Sequence, residues 1–141
     1  GGGIYTSAAE AAVKVDGKVI GVDTDQSGVI DNAYGEGVTV TSAMKGLYPT
    51  TYDTLTDVIV NGNWANYAGK ISTLGLVSGT DPEANYVQLP MENTQWSDTF
   101  TVDDYKTLVG QMFDGTVTVS NDISADPEVT AISFKNLGNL K

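Results

Sequence analysis

Between residues 19 and 31 the chain reads VIGVDTDQSGVID, with acidic side chains at alternate positions ahead of a glycine. Two chemistries use such a pattern. Counting Asp23 as the first position of a calcium loop puts Asp25 third, Ser27 fifth, Gly28 sixth and Asp31 ninth, the EF-hand order of oxygen ligands and turning glycine. The twelfth position is Tyr34, where that motif needs a bidentate glutamate. The approach is also wrong for it, because VIGV is a β-branched apolar run and an EF-hand loop is entered from a helix. The other chemistry is a carboxylate delivered by the end of a buried strand. In open parallel sheets, ligands sit beyond the carboxyl ends of the strands, and Asp23 is the first residue past VIGV. A carboxylate there can accept two hydrogen bonds from adjacent hydroxyls, as a ribose presents them, and such charge-assisted bonds are roughly twice as strong as neutral ones. The strand-end reading is preferred. The alternative is a calcium-stabilised extracellular surface module using Asp23, Asp25, Ser27 and Asp31.

Composition narrows the remaining classes. The chain has 141 residues and a net charge of -11, and each of its 7 basic residues is a lysine. That field repels phosphate backbones and no basic stripe offsets it, so nucleic acid is not an expected partner. Histidine and cysteine are absent, which removes the usual ligands of zinc, copper and iron, the thiol nucleophile and the histidine base of a hydrolase triad. A carboxylate enzyme such as a glycosidase remains conceivable, yet no acidic pair is singled out by its spacing. No enzyme activity and no cofactor are therefore expected. No apolar run nears the roughly 20 residues that span a bilayer. The opening GGGIYTSAAE lacks the basic and apolar regions of a signal peptide, as in a cytosolic protein or one whose front end is missing.

The elements that must position Asp23 follow from periodicity and punctuation. Ser7 and Glu10 fit a capping box ahead of AAEAAVKV, which predicts a helix over 5–16 stopped by Gly17. Residues 19–22 read as a strand covered on both faces. Residues 23–37, dense in glycine and short polar residues, read as a loop, and the alternating VTVTSAM at 38–44 as a second strand. Thr50 and Asp53 fit another capping box and predict a helix over 51–60 that ends at NGN. Short strands are expected at 70–77 and 86–89. Thr101 and Asp104 open a further helix, with Val102, Tyr105, Leu108, Val109 and Met112 on one face and Asp114-Gly115 at its end. Strands are expected at 116–120 and 131–134. The alternation predicts a single α/β unit spanning 1–141, three-layered, with a mostly parallel sheet and helices on both faces. Tyr48, Trp64, Tyr67 and Trp96 are expected to be core or interface aromatics.

KVIGVDTDQSG, the following VTVTSAMKG, and a helix that starts at Tyr52-Asp53 and ends in NGNW together resemble the C-terminal portion of the basic membrane protein family. The opening GGGIYTSAAEAA is similar to the glycine-rich turn and helix just before that strand in the family. YKTLVGQMFDGTVTVS is similar to its ending. Members are lipoprotein solute-binding components of ABC transporters, take purine nucleosides, and have a two-lobed type I periplasmic-binding-protein fold. The resemblance implies that Asp23, from GVD, and Lys45, from TSxxK, contact the ribose. It places Asp25 and Gln26 in the adjoining loop, and brings Gly1 to Gly3, Gly3 included, close to the ligand through backbone N–H groups. It implies an extracellular or periplasmic location with a lipid anchor, and partnership with the permease and ATPase subunits of an importer. The stretch NAYGEG lengthens the spacing between the two motifs relative to the family. Members run to about twice this length, so this chain is expected to hold a partial fold without the N-terminal lobe. Such a chain is expected to associate with itself or with that lobe.

Overall fold

The computed structural model describes residues 2–126, 128–136 and 138. The glycine-rich start forms a short 3-10 turn, Gly2–Ile4, that runs directly into helix α1, Tyr5–Val13. Ser7 therefore lies inside the first turn and cannot cap it, and the expected Ser7–Glu10 box does not form. At the other end Gly17 N–H donates to the Ala12 carbonyl at 2.7 Å and Asp16 N–H to that of Val13. Asp16 takes the left-handed conformation, φ 53°. This is a Schellman closure, in which the left-handed residue precedes the glycine, and it ends the helix three residues before the expected boundary.

Strand β1, Val19–Asp23, pairs in parallel with β2, Thr39–Lys45. A parallel pair needs a crossover, and helix α2, Ser27–Tyr34, provides it. The expectation of a loop over 23–37 is thus corrected. The polar residues that resemble breakers are the helix's start: Asp25 Oδ1 accepts from Ser27 N–H at 3.0 Å and from Ser27 Oγ at 2.8 Å. At the far end Asp31 accepts from the N–H groups of Gly37 and Thr39, at 3.1 and 2.8 Å. Those bonds fold the chain back into β2. Gly21 is required in β1, because a Cβ there would collide with Ser42 Oγ and crowd Gln26.

Helix α3, Leu47–Leu55, begins four residues before the expected position, with Pro49 in its first turn, where a missing N–H costs nothing. It runs into a π-helical turn, Thr56–Val60, and stops at Asn61 and Gly62 as expected. Strand β3, Val87–Gln88, lies antiparallel to the end of β2 and completes a three-stranded mixed sheet in the order β1-β2-β3. The class is α/β, but the sheet is smaller and less parallel than expected. Helix α4, Val102–Phe113, carries the capping box anticipated from Thr101 and Asp104, and ends at Asp114 and Gly115.

The expected strands at 70–77, 116–120 and 131–134 are not formed. At the end of the first, a side chain takes the place of a ladder partner. Asn85, fully buried, accepts from Val77 N–H at 2.7 Å and Ser78 N–H at 2.8 Å. Its amide donates to the carbonyls of Ser78 and Asp81. Among the described residues the other two segments have no strand beside them.

The tightest packing joins Ala9, Ile30 and Val38, with Tyr5, Val19 and Tyr34 against them. Tyr105 and Val109 of α4 are buried separately. Trp96 packs on Tyr105, ring centroids 5.5 Å apart, whereas Tyr48 and Trp64 are exposed. Total accessible surface is 10408 Å², against about 7,000 Å² for a compact monomer of this mass. No helix among the described residues is long and apolar enough to cross a membrane. Replacing Asn85 with alanine leaves the part-buried N–H groups of Val77 and Ser78 without their acceptor, and each such loss costs up to about 1–3 kcal/mol. Asn85→Ala is expected to lower unfolding stability by about 3 kcal/mol in a urea titration; a loss under about 0.5 kcal/mol would show that the 75–85 loop is held by something else.

Candidate functional site

The parallel register sets Asp23 opposite Met44 and one residue short of Lys45. Lys45 Nζ lies 2.9 Å from Asp23 Oδ1, and the side chains remain 67% and 43% exposed. An exposed pair of this kind contributes only about 0–1 kcal/mol. Asp23 also leaves extended geometry, with φ at +70°, a conformation that aspartate tolerates better than most residues. Weak Coulomb gain and a strained backbone are poorly explained by stability. Backbone strain clusters at functional sites, and in open α/β sheets ligands sit beyond the carboxyl ends of the strands.

Asp23 and Lys45 stand on the rim of an open cleft of about 600 Å³. Its walls are Val22, Ala43 and Met44 from the two parallel strands, Leu76, the β3 segment 87–89, Phe100, and Tyr105, Leu108, Val109 and Met112 from α4. The sequence pattern had placed Tyr105, Leu108, Val109 and Met112 on one helical face, and that face lines the cleft. Tyr105 Oη accepts from Leu89 N–H at 3.2 Å, which ties α4 to the third strand. Burial pushes the Tyr105 phenol above its ordinary pKa, against the opposing effect of the Leu89 bond. The arrangement offers an apolar enclosure with one anion and one cation at its mouth. Asp23 Oδ2 accepts no hydrogen bond from the described residues, so this oxygen and the ammonium hydrogens of Lys45 are available to ligand hydroxyls.

Asp25 and Gln26 do not line the cleft. Gln26 folds its side chain back so that Oε1 accepts from Val22 N–H at 2.9 Å, while its own N–H donates to Ser42 Oγ at 3.1 Å. Asp25 Oδ2 accepts from Asn93 at 2.6 Å, which links the turn to the 90–95 segment. Both residues set the course of the chain leaving Asp23. Gly3 lies in the 3-10 turn before α1 and is not part of the cleft wall; Gly1 is outside the described residues. The four residues of the calcium alternative fall into three separate engagements: Asp23 with Lys45, Asp25 with Ser27 and with Asn93, and Asp31 with two backbone amides. Helix α2 occupies the would-be loop from its fifth position, Ser27, to its twelfth, Tyr34, and no three acidic side chains among the described residues gather around one point.

Asn85, Asn93 and Gln95 support the site but stood out from no local pattern, and Ser42, the serine of TSxxK, was assigned no role of its own. Gln95 donates to the carbonyls of Gly37 and Thr39, more than fifty residues away along the chain. Compared with protein-family models, curated proteins and solved structures, the chain matches none.

Partial burial tends to raise the Asp25 pKa, but the hydrogen bonds from Asn93 and Ser27 outweigh it and hold the carboxyl below its ordinary value. A depressed folded-state pKa gives stability that is present above the unfolded value, near 3.9, and is lost as pH falls through the folded one. Removing the Asn93 donor should shrink that contribution. In Asn93→Ala, the loss of stability between pH 5 and pH 2 is expected to be smaller than in the parent by on the order of 0.5 kcal/mol. Parallel pH-dependent denaturation curves of parent and variant would show instead that Asp25 gains nothing from Asn93.

Proposed function

We propose that the chain is part of a solute-binding component of an ABC importer and takes a purine nucleoside through its ribose. One observation carries this reading. Asp23 and Lys45, drawn from separate motifs, form a pair at the carboxyl ends of two parallel strands on the rim of an apolar cleft. Vicinal hydroxyls would bridge the two groups, donating to the carboxylate and accepting from the ammonium. The apolar walls would exclude water from those bonds and strengthen them. No chemistry is required of the site. In this reading the α/β unit belongs to a type I periplasmic-binding-protein fold, and a second lobe closes over the ligand. Closure is then the signal to the permease and ATPase subunits. The location that goes with this role is the outer face of the membrane or the periplasm, with a lipid anchor.

The test is thermal unfolding of the full-length chain with adenosine, guanosine and inosine, in the parent and in Asp23→Asn. Asparagine keeps the tolerance for positive φ and removes the charge. Ligand at a hundred times its dissociation constant should stabilise the parent by about 2.7 kcal/mol. Asp23→Asn should abolish most of that shift while changing the ligand-free stability by less than about 1 kcal/mol. If none of the three nucleosides moves the parent at millimolar concentration, the nucleoside reading is wrong.

A further inference from the structure

Asn61 is the chain's only asparagine followed directly by glycine. The pair ends the helical segment that begins with α3, and both residues are exposed. In such a pair the backbone nitrogen of the glycine can reach the side-chain amide carbon of the asparagine, and joining them closes a five-membered ring. Attack within one chain has an effective concentration that an external nucleophile does not match. The ordinary obstacle is the side chain of the following residue, and glycine has none.

The structure leaves this pair free to react. Gly62 N–H donates no hydrogen bond among the described residues, whereas its neighbours are engaged: Asn61 N–H with the Thr56 carbonyl and Asn63 N–H with that of Asp57, each at 3.1 Å. Gly62 stands at φ +72° with no heavy atom within 4 Å of where a Cβ would be. The Asn61 amide is held by a long bond, Nδ2 to Asp57 Oδ1 at 3.3 Å, and Asn63 Nδ2 takes the same oxygen at 2.7 Å. Ring closure requires Asn61 to rotate out of its helical ψ of -11°. No residue of α3 or of the π-helical turn is buried, and segments with few buried contacts open locally at low free energy.

We infer that Asn61 is a site of spontaneous deamidation. Gly62 N bonds to Asn61 Cγ, the Cγ–Nδ2 bond breaks, and the proton lost by Gly62 N leaves with Nδ2 as ammonia. Water then adds to one of the two carbonyls of the cyclic imide. Opening at one gives aspartate at 61, and opening at the other gives isoaspartate, whose main chain runs through the side-chain carbon. The product bears on the turn that follows. Asp57 gathers Asn61, Asn63 and Tyr67 on its carboxylate, the last through Tyr67 Oη at 3.0 Å. Deamidation replaces one of those donors with a second carboxylate, which repels the first, and adds a negative charge to a chain already at -11. The 61–67 turn is loosened with time alone. The reaction uses no residue of the cleft that Asp23 and Lys45 border, so it is independent of the ligand reading.

The test is peptide mapping by mass spectrometry of the folded full chain, held at mildly alkaline pH and physiological temperature, for the parent, Gly62→Ala and Asn61→Gln. Circular dichroism checks that each variant keeps the fold. In the parent, the peptide holding residue 61 should gain the mass of an amide-to-acid exchange and separate into two isomers, isoaspartate the larger, while the other asparagines lag behind. Gly62→Ala should slow the conversion severalfold, and Asn61→Gln should stop it, because glutamine must close a larger ring. Equal rates in the parent and Gly62→Ala would overturn the inference, since they would mean direct hydrolysis of the side chain. So would an Asn61 that stays intact in the folded chain under conditions that convert it in urea, which would mean that the fold holds the residue against closure. Amide hydrogen exchange over residues 63–67 should be faster in Asn61→Asp than in the parent; equal exchange would overturn the loosening of the turn.

Discussion

The absence of a side chain at residue 21 lets Ser42 and Gln26 share the space beside β1, and most of the site depends on that vacancy. With it, Ser42 Oγ accepts from Gln26 N–H and Gln26 Oε1 from Val22 N–H. The chain is thereby turned out of the strand directly after Asp23 and into α2. Any larger residue at 21 would displace Ser42 Oγ and crowd Gln26, and the two hydrogen bonds that turn the chain after Asp23 would go with them. A packing constraint on one strand thus sets an electrostatic relation between two.

That relation is deliberately weak in energetic terms. Two half-exposed charges hold each other loosely, so either can exchange its partner for a ligand oxygen at small cost. The stiff interactions lie behind them. Asp25 satisfies the nearby Ser27 N–H, and Asp31, Asn85 and Gln95 satisfy backbone groups farther along the chain; together they hold the turn, the crossover and the cleft wall in place. The cleft itself is open and apolar, shaped by α4 standing across the strand ends with Tyr105 tethered to Leu89.

What could be read from the sequence follows the range of the interactions involved. Strands β1 and β2 and the capped start of α4 were legible because their signals are local: continuous or alternating β-branched runs, and a threonine three residues before an aspartate. Asp23 was legible as a candidate because it follows a continuous apolar run, whereas Lys45 was named only through the resemblance of TSxxK. Helix α2 was not, since Asp25, Ser27 and Gly28 have the composition of a loop, and only the need to cross between parallel strands makes them a helix start. The expected strands at 70–77, 116–120 and 131–134 failed for a common reason. A strand is completed by its neighbour, and propensity says nothing about whether a neighbour is present. Asn85 and Asn93 act across gaps in sequence that no pattern spans.

Trp96 has an optical consequence. Its indole donates to the Met91 carbonyl at 3.0 Å and its ring lies against Tyr105, which lines the cleft. The other of the chain's 2 tryptophans, Trp64, is largely in water. Emission from Trp64 is therefore a constant background, while that from Trp96 changes with whatever dries or displaces the Tyr105 wall. The indole of Trp96 is thus a probe of the surroundings of Tyr105.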